Sequence, residues 1–237
     1  MSLTAEEIQA TARAAVAALK MAHLNCCLVG SSACFELGNS RVPNDVDVLV
    51  LTSSKSPEEI KDLLVSLDSK FYLALPEKNP LATYQVLWYT FPSTGVQKTC
   101  RVDVFIPGMI SLPFVPPELV TYSPSGLPVM PLLAALRHKV LAWMAHGKAG
   151  RQDKQLNDIT DIGGLSGIVA NKLGTVLSED ISWYPEWFVD ASFSGITKYV
   201  DVFPDSAGLW FNLWADLEDG MRVTRILSEV RRTAVGG

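Results

Sequence analysis

Residues 28–51 read LVGSSACFELGNSRVPNDVDVLVL, and the order of chemistry within them decides the fold. The apolar run from Asn25 to Val29 predicts a short strand that stops at Gly30-Ser31-Ser32. Helical spacing follows as far as Leu37, where Gly38 supplies a stop. Asp45 to Leu51 predicts a second, largely buried strand whose only polar residues, Asp45 and Asp47, lie two apart. Side chains two apart on a strand share a face, so these carboxylates project together about 7 Å apart along the chain.

Upstream, Thr4 to His23 predicts a helix, opened by a capping box of Thr4 with Glu7 and carrying Ile8, Ala12, Ala15, Val16 and Leu19 on one stripe. Downstream, Ser56-Pro57-Glu58-Glu59 opens a helix running to about Ser69. Tyr84 to Phe91 and Thr99 to Ile106 read as strands forming a hairpin across Pro92 to Lys98. Ile110 to Pro131 holds six prolines, which a helix or central strand would not tolerate, and reads as the crossing between two halves. The expected division is therefore a core over residues 1–112 and a mainly helical region over 113–237. Within the latter, Leu132 to Met144 and Asp153 to Ile162 read as helices around a basic loop, His146 to Arg151, and Ile168 to Arg232 as irregular helix.

The 237 residues are 48% hydrophobic and 19% charged, with a mean hydropathy of +0.20, enough to bury a core and too apolar for extended disorder. No apolar run approaches the roughly 18 residues of a membrane span, and the polar, acidic start MSLTAEEIQA is unlike a secretory leader, so a cytoplasmic protein is expected. Cys26, Cys27, Cys34 and Cys100 lack metal or redox spacing and read as buried free thiols. A net charge of −5 disfavours long nucleic acid as a partner, although Lys148, Arg151 and Lys154 form a local basic patch suited to an RNA end.

A third acid, Asp103, lies in the otherwise apolar CRVDVFI of residues 100–106. An unpaired carboxylate there would cost several kcal/mol to bury, so it calls for a cation, with Arg101 expected on the opposite face. Three carboxylates on neighbouring strands suit Mg²⁺ or Mn²⁺, which take a few carboxylate oxygens plus water and phosphate. The Gly30-Ser31 turn adds backbone N–H groups at a helix start, a favourable place for a triphosphate.

Together, LVGSSACFELGNSRVPNDVDVLVL and CRVDVFI resemble the polymerase-beta-type nucleotidyltransferase superfamily, whose pattern is Gly-Ser, then Asp-x-Asp, then a third Asp. The resemblance implies an α/β (α+β) mixed sheet flanked by helices, followed by a mostly helical region. It also implies metal-dependent transfer of a nucleoside monophosphate from an NTP to an acceptor hydroxyl, with release of pyrophosphate. Asp45, Asp47 and Asp103 fall at the catalytic and metal positions, and Gly30, Ser31, Ser32 and Arg41 at nucleotide-binding ones. Within the superfamily, residues 41–47 are nearest to the R-x-T-x-D-I-D form of AbiEii-like and aminoglycoside nucleotidyltransferases, departing from it at Pro43-Asn44 and in lacking a basic residue just after Gly30-Ser31. RQDKQLNDITDIGGL is similar to their second motif, which carries Arg151, Lys154, Asp158 and Asp161 to the nucleotide border. Lys139 reads as a solvated residue able to reach a phosphate.

Blander readings stand beside these. Asp158 and Asp161 share a helical face and would pair with Arg151 or Lys154. His23, His138 and His146 lack zinc spacing and read as helix-end or surface residues. Trp183, Trp187, Trp210 and Trp214 form two i, i+4 pairs that read as core packing. The acceptor, whether a small molecule, a protein side chain or an RNA end, is not encoded in these patterns. The rival functions are a catalytically silent module of the same fold that binds nucleotide or mediates assembly, and a purely structural metal site.

Overall fold

The computed structural model describes residues 3–76, 79, 81–91, 97–172 and 181–215. The chain divides into two compact units, Met1–Pro131 and Leu132–Gly237.

The first unit opens with α1 (Ala5–Met21), whose N-cap Thr4 forms the expected capping box with Glu7. β1 (Cys26–Leu28) leads into α2 (Gly30–Glu36), and β2 (Asp45–Val50) follows. α3 (Pro57–Leu67) starts at the Ser56 cap with proline in the first turn. β3 (Phe71–Ala74), β4 (Val86–Thr90) and β5 (Thr99–Phe105) come next, and then β6 (Thr121–Tyr122) and β7 (Pro128–Val129).

Among the described residues these strands form one seven-stranded mixed sheet in the order β3-β4-β5-β2-β1-β7-β6. β2 lies inside it, antiparallel to β1 and parallel to β5. The alternation in β2 and β5 is the pleat made visible: Val46, Val48, Val102 and Val104 are buried, while Asp45, Asp47 and Asp103 are only partly so. The valines pack with Ala12, Ala15 and Leu19 of α1 and with Ile60 and Leu64 of α3. Each fully buried leucine or isoleucine contributes about 1.5–3 kcal/mol, so this layer fixes the face on which the carboxylates emerge.

β4 and β5 pair antiparallel, as the hairpin reading expects; residues 92–96 of its turn lie outside the described residues. The proline-bearing stretch behaves otherwise than expected. It supplies β6 and β7, and β7 pairs in parallel with β1 through Leu28 and Val129. Proline is accommodated because Pro128 is the first residue of β7 and the neighbouring residues make the bonds: Ser123 N–H donates to Leu127 O at 2.9 Å and Met130 N–H to Leu28 O at 3.0 Å. This stretch therefore falls in the first unit, and the contact boundary lies at residue 131. β3 was not expected; its four residues follow α3 too closely to show an alternation.

The second unit is helical: α4 (Leu132–Lys148), α5 (Gln152–Asn171), α6 (Glu186–Val202) and α7 (Ala207–Ala215). The expected basic loop shrinks to three residues because α4 continues through His146 and Lys148. Leu136, Val140, Leu165, Phe188 and Leu213 are fully buried, and Trp143 meets Tyr199 edge-on at 5.1 Å between ring centroids. Of the expected core tryptophans, Trp210 is buried but Trp187 is 45% exposed, because its neighbour Phe188 takes the inward position. The expected helical stretch beyond residue 215 lies outside the described residues.

Among the described residues no helix is long and apolar enough to cross a membrane. Burial also holds for all four cysteines, which are free thiols.

Candidate active site

Glycine at position 30 has two separate causes. Its φ of +57° lies in the left-handed region, and a Cβ built on it would collide with Oδ2 of Asp47. The start of α2 thus lies directly against the second carboxylate of β2. Val29 caps this helix without a side-chain hydrogen bond, while its own N–H donates to Asp47 O at 3.0 Å.

Ser32 fixes the same junction. Its hydroxyl donates to Asp45 O at 3.1 Å and accepts from Asp47 N–H at 3.0 Å, bridging the first turn of α2 to the backbone between the two aspartates. The residue is 1% exposed, so it positions the carboxylates through their backbone. Arg41 Nη2 donates to Ser31 Oγ at 2.5 Å and ties the loop before β2 to the helix start.

The other end of α2 is anchored by a residue the motif reading passed over. Glu36 is 6% exposed and accepts from Gln9 Nε2 at 2.9 Å, Ser123 Oγ at 2.6 Å and Ser125 Oγ at 2.5 Å. The only hint in the sequence is an acid inside an apolar helical stretch, which requires buried partners.

β5 completes the acidic face. In the parallel register Asp47 lies opposite Asp103 and Asp45 opposite Arg101, on strands about 4.8 Å apart. All four side chains belong to one face, which corrects the expectation that Arg101 points away: residues 101 and 103 are two apart and obey the same period as 45 and 47. Arg101 grips Asp103 with both prongs, Nε to Oδ1 at 2.8 Å and Nη2 to Oδ2 at 2.6 Å. The cation that Asp103 calls for is supplied by its own strand.

Burial pushes the Asp103 carboxyl above the usual aspartate range against the pull of Arg101, and the charge of Asp45 adds to the rise. Burial also works against the Arg101 charge, but Asp103, with Asp45 and Asp47 behind it, outweighs burial and holds the proton more tightly than usual. One guanidinium is therefore shared electrostatically among three carboxylates.

Among the described residues no group of three or more His, Cys, Asp or Glu side chains is arranged to hold a metal ion. Asp103 is turned to Arg101, while Asp47 lies against the helix start with Asp45 two residues before it on the same face. Hard oxygen donors of that kind fit Mg²⁺ or Mn²⁺, which take one or two protein carboxylates together with water and phosphate oxygens.

In the second unit, Lys139 is not solvated. It is buried and ion-paired with Asp158 at 3.1 Å and Asp161 at 2.8 Å. Asp158 also meets His146 Nδ1 at 2.6 Å. Lys139 and His146 thus stand where Arg151 or Lys154 was expected to pair, because α4 runs alongside α5 and presents them to its inner face, whereas Arg151 is exposed and Lys154 partly so. His146 has a structural role that zinc spacing could not suggest.

The seven-stranded mixed sheet flanked by helices is a fold shared with a nucleotidyltransferase-like protein of known structure. The structure superposes with a TM-score of 0.63 on the crystal structure of an antigenic nucleotidyltransferase-like protein from Paracoccidioides brasiliensis, covering 88% of this chain and 94% of that one at 16% identity. A looser likeness, TM-score 0.40 and 12% identity over 98% of this chain and 99% of the other, links it to an H. pylori protein assigned as a nucleotidyltransferase, and similarity at that level carries no argument. The sequence matches no family model and no curated protein.

Proposed function

We propose that the protein is a metal-dependent nucleotidyltransferase that moves a nucleoside monophosphate from an NTP to an acceptor hydroxyl. The observation that carries this reading is the contact of Gly30 with Asp47: the start of α2 is built directly against a carboxylate suited to a hard cation. Asp45 and Asp47 would hold Mg²⁺ or Mn²⁺, which when bound supplies charge neutralisation to the triphosphate. Ser32 and Arg41 keep that pair and the helix start in register. Asp103 orients the acceptor hydroxyl. The acceptor hydroxyl gives up its proton to water, its oxygen forms a bond to the α-phosphorus as the bond from that phosphorus to the α–β bridging oxygen breaks, and pyrophosphate leaves. From the form of residues 41–47 we infer an AbiEii-like or aminoglycoside nucleotidyltransferase type.

A second reading is favoured by the Arg101–Asp103 ion pair: a module of the same fold that binds nucleotide and does not turn it over. Incubation with α-labelled NTPs and Mg²⁺ or Mn²⁺, scored for pyrophosphate and for labelled product, separates the two. The transferase reading expects release that Asp47→Asn abolishes. Metal-dependent NTP binding without pyrophosphate, across a panel of hydroxyl acceptors, supports the silent module.

A further inference from the structure

Arg101 is the one feature of the acidic face that nucleotidyl transfer leaves unexplained. Its fork takes both oxygens of Asp103, one hydrogen bond to each, and so holds the carboxylate turned toward the arginine. Its charge is felt by Asp45 and Asp47 as well, since the register sets Arg101 opposite Asp45 and Asp103 opposite Asp47. The Arg101 side chain is nonetheless 47% exposed, against 22% for Asp103. With one partner so open to solvent the pair is screened by water, and a doubly charged ion competes for the same carboxylates more strongly than a singly charged guanidinium.

We propose that Arg101 is a built-in competitor for the metal site, occupying Asp103 in the resting state and yielding it only when a divalent ion displaces the guanidinium. This rests on the reading of Asp45 and Asp47 as metal ligands and adds Asp103 as a third once Arg101 is displaced. Arg101 acts as a positioning residue, raising the metal concentration at which the three-carboxylate site assembles. A bound triphosphate adds oxygen donors of its own and helps a divalent ion to displace the arginine.

The test is Mn²⁺ affinity, read by electron paramagnetic resonance of free Mn²⁺ without nucleotide. The proteins are the wild type, Arg101→Gln, Arg101→Lys, Arg101→Gln with Asp103→Asn, and Asp45→Asn with Asp47→Asn. Arg101→Gln is expected to bind Mn²⁺ roughly five- to tenfold more tightly than the wild type. Arg101→Lys, which keeps the charge without the fork, is expected between them, and the gain is expected to vanish when Asp103→Asn is added. Affinities for Arg101→Gln and wild type within about twofold, with binding still dependent on Asp45 and Asp47, overturn the competitor role and leave the metal reading standing. A gain that survives Asp103→Asn also overturns it, since removal of positive charge then acts without the fork. Absence of Mn²⁺ binding in every protein overturns both.

Discussion

Each unit holds a cluster of lysine or arginine with aspartate, and burial distinguishes the two. In the first unit Arg101 grips Asp103 at the open side of a sheet, with its own side chain 47% exposed. In the second, Lys139 is sandwiched by Asp158 and Asp161 with all three side chains at 6% exposure or less. Aspartates and a cation at similar distances thus serve opposite ends. A buried network must stay paired, because a lone charge there loses its hydration and gains nothing in return. A half-exposed pair is screened by water, and the exchange proposed for Arg101 draws on that difference.

The comparison breaks most visibly on removal of each cation. Lys139→Met leaves two carboxylates buried together, and urea unfolding is expected to show a loss of about 3–5 kcal/mol. Ser32→Ala strips the bridge between Asp45 O and Asp47 N–H; the same measurement is expected to show about 1–3 kcal/mol. Gly30→Ala forces a left-handed alanine against Asp47, with an expected loss of about 1–2 kcal/mol and disappearance of any NTP-induced stabilisation in thermal melts. Arg101→Gln is expected to change stability by no more than about 1 kcal/mol, since solvent already screens that pair. A loss comparable to that of Lys139→Met would erase the distinction between the clusters.

The buried thiols give a pH test independent of both clusters. Burial pushes Cys26 and Cys100 up to about 12, and Cys27 further in the same direction. A group whose folded value is raised contributes stability that is fully present below its unfolded value, about 8.5 for a thiol, and lost as pH rises through the folded value. Unfolding free energy is therefore expected to fall between about pH 8.5 and 12, with Cys26→Ala flattening the fall, and the native thiols are expected to resist a disulfide-exchange reagent until denaturant is added.

Much of the first unit was legible because its signals are local. Two valines alternating with two aspartates declare a strand with one wet face, and Thr4, Ser56 and Pro57 mark helix starts through chemistry that acts within a turn. What stayed hidden depends on partners distant in sequence. β7 is a strand because β1 lies beside it and its flanking residues make the bonds that Pro128 cannot. Glu36 is buried because Gln9, Ser123 and Ser125 converge on it, and Lys139 because α5 brings two aspartates to it. Arg101 is a different case: the period of two that aligned Asp45 with Asp47 also aligns Arg101 with Asp103, so its partner was written in the sequence.

Asp45 and Asp47, beside the Gly30 helix start, are proposed to bind an NTP together with a divalent ion. The most direct measurement is the melting temperature of the wild type and of Asp45→Asn/Asp47→Asn with each NTP, with and without Mg²⁺ or Mn²⁺. A ligand at 100 times its dissociation constant stabilises by about 2.7 kcal/mol, so the account predicts a rise of several degrees in the wild type that needs both metal and nucleotide and is absent from the double variant. No rise with any NTP, or a rise that survives loss of both carboxylates, would contradict it.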